Sequence, residues 1–209
     1  MSVFQDHRVR RRQNSVLLVA AMLLPITALQ LTGGSIRHLV DVRFHWTPLM
    51  LGALAVAITI TTLVPQGSGE VHRWINLATY AAALAVLWRN RPLPGLPTTL
   101  IGAGLNVTAI TANNGIMPAW RPALDLAKLP PTSPDFLSSA QLATPRLLVL
   151  GDVFAVPGWV PFANVFSAGD VLIVIGISFA FLCLGKSRLV PARVLTRCES
   201  RIRDHHPCE

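Results

Sequence analysis

The chain has 209 residues, 52% of them hydrophobic and 13% charged, with a formal net charge of +8 and a mean hydropathy of +0.50. Globular chains carry about a quarter charged residues, so an ordinary charged-surface domain is excluded, and an apolar excess arranged in blocks reads as an integral membrane protein. The basic residues gather at the two ends, Arg8 to Arg12 and Lys186 to Arg203, which beside apolar blocks points to anionic lipid headgroups as partner and not to nucleic acid.

Residues 1–14 form a basic N-terminal arm. Five stretches then approach the roughly 20 apolar residues that a membrane helix needs: 15–32, 46–64, 74–89, 95–113 and 168–185. The first contains Pro25 and Gln30. Its apolar run is long for a secretory signal and no small-residue cleavage pattern follows, so it reads as a retained helix. The second opens at Trp46, and the third runs from Trp74 to Trp88, aromatics of the kind that anchor helices at an interface. The fifth, "AGDVLIVIGISFAFLCLG", stops at Gly185-Lys186. The expected fold class is therefore an all-α polytopic membrane protein of about five transmembrane helices within 15–185, followed by a basic tail, 186–209.

The connection 114–167 is long enough to be a functional loop. It holds eight prolines. Ser133-Pro134-Asp135 has the pattern of an N-cap, a first-turn proline and an acid, opening a short helix. "RLLVLGDVFAVP" reads as two short strands turning at Gly151-Asp152, a β-hairpin. Charge in the short loops sets orientation. Arg37, Arg43, Arg89 and Arg91 fall on the side of the basic tail, which places the C-terminus in the cytoplasm and the loop outside, in a multi-pass protein of the cell membrane. Cys183, Cys198 and Cys208 imply no disulfide framework and suit free thiols in a reducing compartment.

The polar residues inside the apolar blocks are the candidates for function. On a helix at about 100° per residue, Gly102, Asn106 and Asn113 fall within about 40° of one another. That stripe faces other helices, as interhelical glue with a small residue for close approach, or as a polar site at the outer edge. Asn113-Asn114-Gly115 also stops the helix, since Asn and Gly accept the left-handed conformation and Pro118 follows. Asp170 opens the last apolar stretch. A carboxylate there is a functional candidate, and Ser167-Ala168-Gly169-Asp170 equally fits a capping box. Asp152 reads as a turn residue or a functional acid. Asn106-Val107-Thr108 matches a glycosylation acceptor but lies inside an apolar stretch. The terminal "DHHPCE" has ligand-type residues in a spacing that matches no zinc pattern, so no metal and no cofactor are expected.

"GLNVTAITANNGIMPA", "LVLGDVFAVP" and "VFSAGDVLIVIGI", with "GGSIRHLVDVRF" earlier, resemble an uncharacterised bacterial membrane family, domain of unknown function 5317. Its pattern places an Asn in a span, then N-G-G-x-M-P, a G-D, and S-x-G-D at the last span. The chain departs from it at Asn113-Asn114-Gly115 and Ile116 and in its basic arm. The resemblance implies membrane residence and supplies no activity. A fainter similarity joins "FSAGD" and "GAGLN" to lipoprotein signal peptidase, a membrane aspartic protease. That family's pattern sets a catalytic acid where this chain has Ala109, so Asp152 would have to join Asp170 to complete a two-carboxylate site.

The reading is a non-enzymatic membrane component with a polar cluster of Asn106, Asn113, Asn114, Asp152 and Asp170, whose partners are the bilayer and a further membrane protein or lipid. The alternative is an aspartic peptidase-like hydrolase using Asp152 and Asp170. Whether both aspartates face one cavity separates the two.

Overall fold

The computed structural model describes residues 23, 25–40, 42, 44–63, 70–129, 139–161 and 163–205. The N-terminal arm, the Ser133 helix start and the last four residues lie outside the described residues.

Helices form on the apolar blocks, and local sequence sets their ends. Residues 25–31 are helical (α1). After them come α2 (Arg37–Val40), α3 (Thr47–Leu63), α4 (Glu70–Arg89) and α5 (Leu96–Ala112). Gly95, at φ 82°, starts α5 and Pro97 sits in its first turn, where a missing N–H costs nothing. It stops where Asn114 and Gly115 take φ 56° and 90°, and the Gly115 N–H donates back to the Ile110 carbonyl at 2.8 Å. The last long helix, α7 (Ala168–Leu184), opens on a complete capping box. Ser167 Oγ accepts from the Asp170 N–H, and the Asp170 carboxylate accepts from the Ser167 N–H. A second helix, α8 (Ala192–His205), folds back and is tied to α7 by a disulfide between Cys183 and Cys198.

α5 and α7 form the central pair, and small residues let their backbones touch. A Cβ on Gly102 would lie 2.5 Å from the Gly169 carbonyl oxygen, and one on Gly176 would lie 2.6 Å from the Thr99 nitrogen and 2.7 Å from the Gly95 oxygen. α4 packs beside α5, and α3 beside α4. Asn90, fully buried, joins the end of α4 to the start of α3: its Nδ2 donates to the His45 carbonyl (2.9 Å) and its Oδ1 accepts from the His45 N–H (2.7 Å).

Three short segments lie side by side in the loop. β1 (Met117–Pro118) pairs in parallel with β2 (Ser139–Ala140), and Ala119 bridges to Asp152. Between them lies the short helix α6 (Arg121–Leu126). The segment expected as the first hairpin strand is instead a 3₁₀ turn, Leu148–Leu150. The hairpin is formed by β3 (Phe154–Val156) and β4 (Asn164–Phe166), with Phe154 stacked on Phe166. Gly151-Asp152 is thus no hairpin turn. The backbone of Asp152 is already committed to the other side, donating to the Pro118 carbonyl at 2.9 Å and accepting from the Trp120 N–H at 3.0 Å.

Two further expectations are overturned. The helices α3, α4, α5 and α7 fall on the apolar stretches, but among the described residues no helix is long and apolar enough to cross a membrane, so the chain is not the expected bundle of transmembrane spans. α3, α5 and α7 have 17 residues each, about 25 Å at 1.5 Å per residue against a hydrocarbon core of about 30 Å. α4 has 20 residues but carries Glu70, His72, Arg73 and Arg89. Gly95, Asn113 and Gly185 continue the apolar runs of the sequence but cap the helices and do not lengthen them. Large apolar side chains nevertheless stay exposed on the flanks, among them Leu51, Ile101 and Ile175. The second correction concerns the thiols: Cys183 and Cys198 are paired, which removes the free-thiol argument for a reducing compartment.

Candidate functional site

Asn106 stands on the α5 face turned to α7. Its Nδ2 donates to Asp170 Oδ1 at 2.7 Å, and its Oδ1 lies 2.8 Å from Ser167 Oγ. The same hydroxyl is 2.8 Å from Asp170 Oδ2, so its single proton serves one of the two acceptors. Asp170 Oδ2 also accepts from the Ser167 N–H at 2.9 Å. Both oxygens of Asp170 are therefore engaged, one by the neighbouring helix and one by the cap. The Asn106 amide works as interhelical glue and as one wall of a polar site together.

Asp152 arrives from the loop. The approach of its segment to β1 requires Gly151, where a Cβ would lie 2.9 Å from Pro118 Cγ. The side chain is 6% exposed. Ser139 Oγ donates to its Oδ2, and among the described residues its Oδ1 accepts no hydrogen bond. Burial pushes the carboxyl up to about 6, the Ser139 hydrogen bond partly offsets this, and the charge of Asp170 adds to the rise. A buried carboxylate with one hydrogen bond is poorly compensated for lost water.

The two aspartates line one cavity of about 290 Å³. Ser139, Asn106 and Tyr80 supply its other polar groups, and Met117, Ile110, Val107 and Ile173 are among its apolar walls. Burial also raises the Tyr80 hydroxyl above its ordinary range. Among the described lining residues none is basic. The carboxylates do not hydrogen-bond each other directly among the described contacts.

The other two amides lie elsewhere. Asn113 is buried and fastens the loop to α5: its Nδ2 donates to the Ala109 and Arg146 carbonyls (2.8 and 2.7 Å), and its Oδ1 accepts from the Arg146 N–H (2.8 Å). Asn114 is an exposed left-handed residue of the helix stop. Neither is among the residues lining the cavity. Sequence reading missed Tyr80 and Ser139. Tyr80 carried a signal, as the chain's single tyrosine inside an apolar helix. Ser139 carried none, because only the β1–β2 register brings it to Asp152.

A family model described as "Family of unknown function (DUF5317)" matches residues 41–182. That range includes α5, the loop, Asp152, Asp170 and nearly all of α7. A protein of Thermotoga maritima, described as uncharacterised, is 34% identical over 113 residues, 53% of this chain and 64% of that relative's length. The chain thus aligns with somewhat under two thirds of that relative. No solved structure matches.

Proposed function

Because the chain belongs to the family of unknown function DUF5317, whose name carries no activity, we propose a role from the pocket itself: a non-enzymatic component that binds a small ligand over the Asn106, Asp152 and Asp170 cluster. One observation carries this reading, the presence of both aspartates on one cavity with mainly apolar walls. Concave apolar pockets with a few convergent polar groups are the usual form of ligand sites. The peptidase alternative has less support. Asp170 has both oxygens committed to Asn106 and Ser167, and the wholly buried Ala109 stands where that pattern has an acid. A dyad sharing one proton needs two carboxylates in direct contact.

Ligand-observed NMR with a small-fragment set tests the binding reading. Fragments should bind the wild-type chain and lose binding in Ala103→Phe, which fills the cavity. No fragment binding to a folded wild-type chain, or binding unaffected by the filling substitution, would overturn it.

A second observation supports an anionic lipid surface as partner, met without spanning helices. The turn after α1 meets the end of α7, with the Ser35 N–H on the Gly185 carbonyl (2.9 Å) and the Arg188 N–H on the Thr32 carbonyl (3.1 Å). Arg37, Arg89, Arg91, Arg188, Arg193 and Arg197 are exposed around this end. Leu31, Leu189 and Trp88 are exposed among them, at 87%, 66% and 60%. Basic charge with protruding Leu and Trp is the combination that holds peripheral proteins on acidic bilayers. The wild-type chain should sediment with phosphatidylcholine vesicles containing about a third phosphatidylglycerol, and the triple variant Arg91→Gln, Arg188→Gln, Arg193→Gln should do so several-fold less. Equal binding to purely neutral vesicles, or binding to nucleic acid alone, would contradict this.

A further inference from the structure

We propose that the cavity selects a small organic cation, a primary ammonium carried on a short apolar body. The inference rests on the binding reading above and names its ligand class. Two acidic side chains and no basic one line the cavity among the described residues. Bases of the adjoining segments are paired or exposed and are not among its described lining residues. Arg73 pairs with Glu70 at 2.6 Å and Arg121 with Asp125 at 3.0 Å, while Arg146 is exposed. Both oxygens of Asp170 are already engaged, Oδ1 by the Asn106 amide and Oδ2 by the Ser167 N–H. Asp152 is different. It is 6% exposed, lines the cavity, and keeps Oδ1 without a hydrogen-bond partner among the described residues. An ionised carboxylate in such a place lacks a counter-charge and, at Oδ1, a donor. An ammonium group provides both, with a charge-assisted hydrogen bond stronger than a neutral one.

The walls fit the remainder of such a ligand. Leu84, Val107, Ile110 and Ile173 offer apolar contact, and the Tyr80 ring lines the same space. An aromatic face attracts a cation, and the effect grows when the pair is desolvated. The Asp152 carboxyl ionises near 6, so proton and ammonium compete for it. Among the described residues the titratable groups lining the cavity are Asp152, Asp170 and Tyr80.

Calorimetry with three six-carbon probes on the full chain decides the matter: n-hexylammonium, n-hexanol and hexanoate. The expected order at about pH 7.5 is ammonium at least about tenfold tighter than alcohol, with hexanoate unbound. Moving to about pH 5 should weaken the ammonium roughly tenfold, as Asp152 takes a proton, and leave the alcohol unchanged. Asp152→Asn should weaken the ammonium by a similar factor and abolish this pH dependence. If alcohol binds as well as ammonium, the cation inference fails and the binding reading stands. If no probe binds, and the fragment set also gives nothing, both fail.

Discussion

Gly176→Ala is expected to lower the thermal unfolding midpoint by roughly 6–12 °C, from about 3 kcal/mol of overpacking. The added carbon would meet backbone on α5, 2.6 Å from the Thr99 nitrogen and 2.7 Å from the Gly95 oxygen. Backbone cannot swing aside as a side chain does, so the helices must separate along the seam. That separation also pulls Asn106 from Asp170 and opens one wall of the cavity. Gly104→Ala is the control. It lies on α5, the facing helix, with nothing within 4 Å of the added carbon, and a helical Gly→Ala change in open space stabilises by roughly 0.5–1 kcal/mol. Differential scanning calorimetry of the two variants should show shifts of opposite sign. Similar shifts from both would mean that the α5–α7 contact is not close.

Asp152→Asn is expected to raise stability at neutral pH. The sign follows from linkage. Asp152 ionises at about 6 in the folded chain against 3.8 as the ordinary value. Below the ordinary value both states hold the proton and the group is neutral in its effect. Between 3.8 and about 6 the unfolded chain loses its proton first, so stability falls as pH rises, and the loss is complete above the folded value. A rise of about two units corresponds to about 3 kcal/mol at most. Asparagine cannot ionise, and its carbonyl oxygen can still accept from Ser139. Denaturant melts should therefore show the variant more stable by up to about 3 kcal/mol near pH 8 and close to wild type near pH 4. The opposite pattern would indicate that the buried carboxylate is held by a favourable partner.

The local devices were legible because each rests on a short-range rule. Ser167 to Asp170 spelled the cap, Asn113 to Gly115 the helix stop, and Gly102 with Asn106 the face turned to a neighbour. Legibility ended where the outcome depends on distant pairing. "LVL" before Gly151 has the residues of a strand and forms a 3₁₀ turn, because β1 claims the backbone of Asp152 and leaves the preceding residues unpaired. Ser139 joins Asp152 only through that register. The apolar blocks misled for another reason. A helix packed through glycines on one side and bare on the other has the same composition as a span, and composition does not record that α5 and α7 end after 17 residues. The Cys183–Cys198 pairing follows from the fold-back of α8, which no spacing rule anticipates.

The site was half visible. Asn106, Asp152 and Asp170 share one cavity, while Asn113 and Asn114 serve the loop anchor and the helix stop. Asn113 continues the Asn106 stripe by two turns, but at that height the loop has replaced α7 as its neighbour, and the amide is spent on the Arg146 backbone. Tyr80 enters from α4 on the strength of helix packing alone.

The central claim is that Asp152 is a buried, under-bonded carboxylate facing a ligand cavity. A carboxyl ¹³C NMR titration of Asp152, on chain labelled at aspartate and assigned with Asp152→Asn, tests it most directly. The expected midpoint lies near 6 and moves downward when n-hexylammonium is added. A midpoint at the ordinary aspartate value, unmoved by the cation, would contradict it.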